Sequence, residues 1–398
     1  MKTLLIFILT IIVCGCSLNS PNEERIQAEL DLKTDSTITI NVMDFRCKNF
    51  PVSELLDSVR YIALENSDEA LIAIVRKIKV TKNLIYVLDL QNDRLKCFDR
   101  TGKFIRKACS IGGGPEEIGH LVDFDVDENY LYVLDGAKIA IHVFDHNGKY
   151  VEKKALPFHA QQFKIIPDKG YLFELSPFGI DNNKNPTLVV LTDLHFRVIK
   201  ELLQYIDGAF VGVSFENRLN STYLNTNCGN GIYEKRDSSI FMKYYLDFDG
   251  KYFNANKRVD GYKQAVDQEI YFTSNAPIHN SNYLIQVYYA GMQRTGILLI
   301  RLKDNRTLFI ENLIQDRSDV LNFSFAQAMG YDEMTGEFFG ICNYLDISDV
   351  FSDDKIKVIN DIKSHMPKEV QPFLLQDNTE KNMNQIIMFY KLKPNITF

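Results

Sequence analysis

The sequence predicts an all-β protein, and three observations support this prediction. Two 24-residue segments repeat at an offset of 46 residues, with nine identical positions. Each contains short β-branched and aromatic runs separated by turns rich in Asp and Gly, which is typical of antiparallel strands. Degenerate copies of the same unit follow later in the chain. Four short strands in about 40–50 residues are the pattern of a β-propeller blade, so a propeller is the predicted architecture.

The two segments are Ile85–Ala108 and Leu131–Lys154, and they align without a gap. Unrelated segments of this composition would share about one or two identities. The turns Asp99–Gly102 and Asp145–Gly148 are predicted hairpins in which glycine supplies a positive φ. An additional strand, at Ala73–Val80 or Leu121–Asp127, is predicted before each segment.

Later units keep parts of this pattern. Predicted hairpins lie at Leu188–Leu203, Tyr244–Tyr252, Gly296–Leu308 and Gly330–Asn343. Asp353–Phe373 has a partly helical pattern and is predicted to be a short helical decoration near the C-terminus. Dividing the roughly 340 residues from Leu55 to Pro394 by the repeat gives about seven blades, or six if later blades carry longer loops.

The N-terminus predicts the compartment. Lys2 is followed by the apolar stretch Leu4–Val13, which is too short to cross a bilayer of roughly 30 Å and has the length of a signal-peptide core. The stretch ends in Val13-Cys14-Gly15-Cys16, which resembles a bacterial lipobox. This resemblance implies cleavage between Gly15 and Cys16 and a diacylglycerol on the Cys16 sulfur. The alternative is an ordinary secretory signal with a coincidental cysteine.

The predicted organisation has three parts. Residues 1–15 are the lipoprotein signal peptide, residues 16–50 are a lipidated tether and lead-in, and residues 51–398 are a single propeller domain. Ser17 after the cysteine, by analogy, favours the outer membrane of a Gram-negative bacterium, so the predicted location is the cell envelope. The net charge is −7 and no basic run occurs, so the chain is not expected to bind nucleic acid.

The chain also resembles a known family, the six-bladed β-propeller lipoproteins of uncharacterised function, which are similar to NHL and TolB-like propellers. The resemblance rests on the repeat units, on Val59–Glu65 before the first blade, on Ile111–Glu117 after it, and on Asn384–Lys393 near the end. It implies six blades. It further implies ring closure by a strand near Val59 that pairs in the last blade beside Ile386–Leu392.

A glycine-rich loop is the most distinctive candidate site. It consists of Gly112, Gly113, Gly114, Pro115, Glu116 and Glu117. No Lys-Ser/Thr follows, so it is not a P-loop. We interpret it as a crossing between blades that requires permissive φ angles, with the two glutamates directed to the central channel or to an adjoining face.

No other segment predicts a metal, cofactor or catalytic site. Asp123–Glu128 lacks the glycine and the distal glutamate of a calcium loop, and its alternation is typical of a half-exposed strand. The histidines have no metal-ligand spacing, and His142 and His146 are expected to be solvated on a hairpin. No G-x-S-x-G motif occurs.

The sequence therefore favours a membrane-anchored binding or scaffold module for an envelope protein or an extracellular ligand over an enzyme. The alternative is a propeller hydrolase or lyase that acts on a glycan or lactone through carboxylates or a metal in the central channel.

Overall fold

The structure is a computed structural model of the chain. It describes residues 34–91, 94–166, 168–177, 187–204, 213–215, 222–226, 230–236, 239–251, 271–273, 277–290, 294–317, 319–320, 328–342 and 384–398, with the single residues 360, 364, 368 and 371. The predicted signal peptide and Cys16 lie outside the described residues, and the predicted helical decoration at Asp353–Phe373 lies almost wholly outside them.

The N-terminal segment contains four strands and short helical turns. They are β1 (Ile38–Asn41), a 3-10 turn (Val42–Phe45), β2 (Arg46–Cys47), β3 (Phe50–Pro51), the one-turn helix α1 (Val52–Leu55) and β4 (Leu56–Ala63). The predicted lead-in thus contributes strands to the folded body.

Three regular four-stranded blades follow, each a meander from an inner to an outer strand. Blade 1 contains β5 (Val75–Val80), β6 (Leu84–Asp89), β7 (Arg94–Asp99) and β8 (Phe104–Lys107). Blade 2 contains β9 (Leu121–Val126), β10 (Tyr130–Asp135), β11 (Ala140–Asp145) and β12 (Tyr150–Ala155). Blade 3 contains β13 (Ala160–Ile166), β14 (Gly170–Leu175), β15 (Thr187–Thr192) and β16 (Val198–Gln204).

The remaining blades incorporate the N-terminal strands. Blade 4 contains β17 (Val213–Phe215), β18 (Thr222–Thr226), β19 (Gly231–Arg236), β20 (Ser239–Asp247) and β1. Blade 5 contains β21 (Tyr271–Phe272), β22 (Ile278–His279), β23 (Tyr283–Ala290), β24 (Arg294–Arg301), β25 (Arg306–Ile310) and β2. Strand β26 (Leu313–Ile314) pairs with β3, and blade 6 contains β27 (Ala328–Asp332), β28 (Glu337–Cys342), β29 (Ile386–Leu392) and β4.

The apolar core lies between the blades. Among the described residues, six hydrophobic clusters each join two neighbouring blades, and the last joins blade 6 back to blade 1. Aromatic rings fill these junctions: Tyr86 meets Phe124 between blades 1 and 2, and Phe248 lies 4.9 Å from Tyr288 between blades 4 and 5. A strand buries both of its faces only when a sheet lies on each side, so the clusters define a closed ring of six blades and exclude the alternative of seven.

The predicted hairpin turns are confirmed. Asp99 Oδ1 accepts hydrogen bonds from the N–H groups of Thr101 and Lys103, and Gly102 has φ +91°. Asp145 and Gly148 (φ +87°) repeat this geometry in blade 2. The aspartate satisfies the amides of the turn while the glycine takes up the left-handed conformation, and this is why the motif recurs.

The predicted ring closure is also confirmed. Strand β4 pairs antiparallel with β29, with Tyr61 opposite Met388. The buried Asn384 side chain donates to the carbonyls of Glu65 (2.8 Å) and Ala70 (2.9 Å) and accepts from Ile72 N–H (3.1 Å). Both ends of the chain therefore meet in one sheet, which leaves no gap in the ring.

The N-terminal segment follows the outside of the ring before it closes it. Strand β1 pairs in parallel with β20 on the outer edge of blade 4, and β2 pairs in parallel with β25 on the outer edge of blade 5. Ile40 and Val42 are buried against these blades. We call residues 38–51 the belt, because they cover consecutive blade edges.

Candidate functional site

The innermost strands carry charged side chains. We call these residues the axial cluster: Lys77 and Lys79 on β5, Asp123 and Asp125 on β9, and Gln162 and Lys164 on β13. Strand β9 contacts β13, and β5 contacts β27, as expected for strands that converge on the ring axis. Most of these side chains are buried, including both aspartates and Lys164.

Two ion pairs join blade 1 to blade 2 in this cluster. Lys77 Nζ lies 2.8 Å from Asp123 Oδ1, and Lys79 Nζ lies 3.4 Å from Asp125 Oδ1. Lys77 and Lys79 are two residues apart on β5, and Asp123 and Asp125 are two residues apart on β9. Strand alternation therefore places both lysines on one face of β5 and both aspartates on one face of β9. The arrangement compensates buried charge that would otherwise be costly to desolvate.

The same carboxylates also hold blade 3. Asp123 Oδ2 accepts from Phe163 N–H and Asp125 Oδ2 accepts from Ile165 N–H, both at 3.0 Å. In β13 these residues sit opposite Phe173 and Tyr171 of β14. Their N–H groups point away from β14, so the free inner edge of blade 3 is satisfied by side chains from blade 2.

Polar contacts continue around the inner part of the ring. Gln162 Nε2 donates to Glu174 Oε2 at 2.5 Å in blade 3. Between blades 4 and 5, Asn225 Nδ2 donates to Gln286 Oε1 (3.2 Å), and Gln286 Nε2 donates to Thr273 Oγ1 (2.6 Å). Chemically, this interior is a network of paired charges and amides.

The interpretation of Asp123–Glu128 as a half-exposed strand was wrong, because both aspartates are buried and ion-paired. The missed signal is the repeat itself. The 46-residue offset that relates the two blades superposes Lys77 on Asp123 and Lys79 on Asp125, which puts opposite charges at equivalent inner positions. No group of three or more His, Cys, Asp or Glu suited to a metal ion occurs within the described part of the chain.

The glycine-rich loop is held by its own glutamate. Gly114 N–H donates to Glu117 Oε2 (2.7 Å), and Lys138 Nζ donates to the carbonyls of Gly114 (2.5 Å) and Glu117 (2.7 Å). A Cβ on Gly112 would lie 2.1 Å from Glu117 Oε2. The carboxylate of Glu117 thus occupies the space that the glycines leave open.

The expectation that the loop needs glycine for its φ angles was wrong. None of Gly112, Gly113 and Gly114 has a positive φ, so permissive backbone angles are not what the loop requires. A Cβ at Gly112 would displace the Glu117 carboxylate and one at Gly114 would lie in tight contact with it (3.0 Å), while Gly113 faces open space. Pro115 and Glu116 are exposed. A ligand-binding role for the loop stays a prediction.

The expectation that His142 and His146 are solvated was wrong for both. His146, on the hairpin, contacts Tyr86 Oη (2.9 Å) and the carbonyl of Asp127 (3.0 Å) through its two ring nitrogens. His142 lies within β11 and is fully buried. Its Nε2 is 3.5 Å from Asp135 Oδ2, and neither ring nitrogen has a hydrogen bond within the described residues.

A comparison of blades 1 and 2 explains the isolation of His142. Lys96, the equivalent residue in blade 1, is also buried, and its Nζ donates to the carbonyl of Leu71. In blade 2 the equivalent carbonyl belongs to Glu117 and is bound by Lys138 instead. Burial lowers the pKa of His142, against an opposing effect of Asp135.

Asp135 has a structural role in the same place. It accepts hydrogen bonds from the N–H groups of Gly119, His120, Ala137 and Lys138. Burial raises the pKa of this carboxyl, but the backbone donors outweigh burial and lower the pKa overall. Asp89 makes equivalent bonds to Ala73 and Ile74 N–H in blade 1. These aspartates fix the chain where it enters each blade.

Comparisons with known proteins agree with this fold. The family described as "Domain of unknown function (DUF4934)" matches residues 37–391. Curated proteins give no match. A crystal structure of a Bacteroides fragilis protein, whose name describes it as exported, is 18% identical, with a TM-score of 0.65 over 90% of this chain and 99% of that one. A member of the DUF4221 family from Bacteroides vulgatus is 9% identical, with a TM-score of 0.49 over 85% of this chain and 97% of that one.

Within the described residues, no helix has the length and apolar character needed to cross a membrane.

Proposed function

We propose, from the premise that this chain belongs to the DUF4934 family, that it is a lipid-anchored propeller of the cell envelope that binds a partner protein or an extracellular ligand. The lipid would be attached to Cys16, and the membrane would be the outer membrane of a Gram-negative bacterium. The propeller would act as a rigid body that presents loops.

The arrangement of the axial carboxylates is the observation that carries the binding role. Asp123 and Asp125 each accept a lysine ammonium and a backbone N–H, which is the environment of a structural ion pair. Both oxygens of each carboxylate are therefore engaged by groups of the neighbouring blades. The inner network therefore supports a role in rigidity, which is what a binding scaffold requires.

Two features support export and anchoring. The apolar stretch Leu4–Val13 ends at Gly15-Cys16 in a lipobox-like sequence. The Bacteroides fragilis structure with the same fold carries a name that describes it as exported. Several acyl chains, at about 0.8 kcal/mol for each buried methylene, would hold the protein on a bilayer.

The anchor is tested by the Cys16→Ser variant of the full chain. We expect the parent protein to incorporate a fatty-acid label and to fractionate with membranes. The variant should lose the label and appear in the soluble envelope fraction. A Cys47→Ser variant is the matched control, because Cys47 is a half-exposed cysteine of the folded body. Label retained on Cys16→Ser would contradict the proposal.

The binding role is tested by purification of the tagged full chain from detergent-solubilised membranes. We expect one or a few envelope components to co-purify at constant stoichiometry and to survive high salt. Turnover of a panel of glycans, lactones and peptides by the purified chain would instead support a hydrolase or lyase and contradict the scaffold role.

A further inference from the structure

Exposed apolar side chains concentrate where the belt begins. Among the described residues, twelve large hydrophobic side chains are exposed, and four of them lie on neighbouring edges of blades 3 and 4. These four, which we call the tether-side patch, are Leu194 (47% exposed), Val198 (47%), Ile199 (56%) and Phe241 (39%).

The patch spans two neighbouring blades. Leu194, Val198 and Ile199 belong to β16 and the turn before it, and Phe241 lies on β20. A hydrogen bond of 3.0 Å from Lys200 Nζ to Ser239 Oγ joins the two strands. Lys200 is exposed beside the apolar residues, whereas the exposed Arg197 is paired with Asp193 at 2.7 Å. Apolar side chains beside a lysine suit the interface of an anionic bilayer.

The described chain also begins at this edge. Thr37 Oγ1 donates to the carbonyl of Met242 at 2.8 Å, and Ile38 pairs with Tyr244, so the N-terminal segment leaves the ring next to Phe241. Seventeen residues lie between Cys16 and Thr34. A stretch of that length spans at most about 60 Å. An anchor on Cys16 would therefore attach the ring to the bilayer at this edge.

We propose that the tether-side patch rests on the lipid surface, so that the lipidated chain contacts the membrane with the outer edges of blades 3 and 4. This rests on the proposed lipid anchor. Large aliphatic and aromatic side chains beside cations lower their free energy at the headgroup boundary by leaving water. The opposite edge of the ring, at blades 1 and 6, then faces away from the membrane.

The chain contains no tryptophan, so one introduced indole is a unique reporter of this orientation. Blades 1, 2 and 3 each have an exposed aliphatic residue at the same bulged position of the outer strand: Ile105, Val151 and Ile199. The full-length variants Ile105→Trp, Val151→Trp and Ile199→Trp therefore differ in blade but not in local geometry.

Each purified variant is reconstituted in vesicles of phosphatidylethanolamine and phosphatidylglycerol that contain a brominated lipid, and flotation is measured on the same samples. We expect all three to float. The Ile199→Trp emission should shift to shorter wavelength and be roughly halved by the bromine atoms, because an interfacial side chain is buried about 5–10 Å into the boundary between headgroups and acyl chains. Ile105→Trp should be nearly unchanged.

Three outcomes overturn the inference, and they are distinguishable. Equal quenching of Ile105→Trp and Ile199→Trp, or no quenching of Ile199→Trp in vesicles that float the protein, removes the contact but keeps the anchor. Protein that does not float removes the proposed anchor as well. A spectral shift of Ile199→Trp that appears without lipid and grows with protein concentration identifies a second copy of the chain as the occupant.

Discussion

Blades 1–3 and blades 4–5 protect their outer edges in different ways. Within the described residues, the outer strand of each of blades 1–3 pairs on one side only. Its register shifts at Ile105 in blade 1, at Val151 in blade 2, and at several places in blade 3, one of them at Ile199. In blade 5 the outer strand β25 pairs with β24 without a shift and is covered by β2. In blade 4, β1 covers β20.

The difference follows from what an unpaired edge does. A flat free edge presents N–H and C=O groups that can recruit another chain, and a bulge twists the strand so that such pairing fails. In blade 4, β20 is covered by β1 and also shifts in register against β19 at Lys243, whereas blade 5 has the cover without a shift. The repeat therefore carries its own protection in blades 1–3, whereas blades 4 and 5 are covered by a segment that lies more than 200 residues away in the sequence.

Removal of β1 and β2, which cover blades 4 and 5, should have the largest effect on stability. An internal deletion of residues 34–47 takes away β1 and β2 and the buried side chains of Ile40 and Val42. We expect a loss of stability on the order of 5 kcal/mol, which is a large part of the stability of a typical domain, and aggregation through the bared edges of blades 4 and 5. Thermal unfolding with light scattering measures both.

A replacement of residues 20–33 by a Gly/Ser sequence of equal length is the control for that deletion, since it alters the chain before the belt without removing β1 or β2. Its Tm should match the parent. A monomeric deletion variant with the parent's Tm would show that the belt is not required.

The sequence predicted the regular part of this fold well, because its signals are local. The turns at Asp99–Gly102 and Asp145–Gly148, and the later hairpins at Leu188–Leu203 and Gly296–Leu308, depend on residues a few positions apart. The belt was not predicted. Its parallel pairing of Ile38 with Tyr244 leaves no periodic pattern in four residues.

The inner network was missed for a different reason. A strand's alternation tells which residues share a face, but it does not tell whether that face meets solvent or another blade. Asp123 and Asp125 were therefore interpreted as exposed. Superposing the repeats would have shown a lysine at each equivalent position in blade 1 and so a pair of opposite charges. The sequence interpretation placed His142 on a hairpin turn, whereas the residue lies within strand β11.

Two isoleucines, one on a covered edge and one on a free edge, test the same difference with single substitutions. Ile40 on the covered edge is 4% exposed, whereas Ile105 on a free edge is 44% exposed. We expect Ile40→Ala to lower the free energy of unfolding by about 2–4 kcal/mol, because it leaves a cavity between blades 4 and 5. Ile105→Ala should change it by less than about 0.5 kcal/mol. Denaturant unfolding with equal m-values measures both, and similar losses in the two variants would contradict the proposed division.

The smallest expected effect is a pH dependence that arises in blade 2. Burial lowers the pKa of His142 in the folded chain, with Asp135 opposing and Lys138 and Lys153 adding to the decrease. Unfolded histidine titrates near 6.5, so below that pH the unfolded state binds the proton first. The contribution of neutral His142 to stability is therefore complete above about pH 6.5 and is lost as the pH falls towards the folded pKa. His142→Leu should reduce the decrease in Tm between pH 7.5 and pH 5. Hydrogen exchange measures the same effect locally. At acid pH the backbone amides of β9–β12 should lose protection before those of β23–β25, since His142 lies in blade 2, which the belt does not cover. An acid dependence of Tm that is unchanged in His142→Leu would contradict this prediction. It would mean that Asp135 stabilises the protonated imidazole enough to offset the cost of its burial.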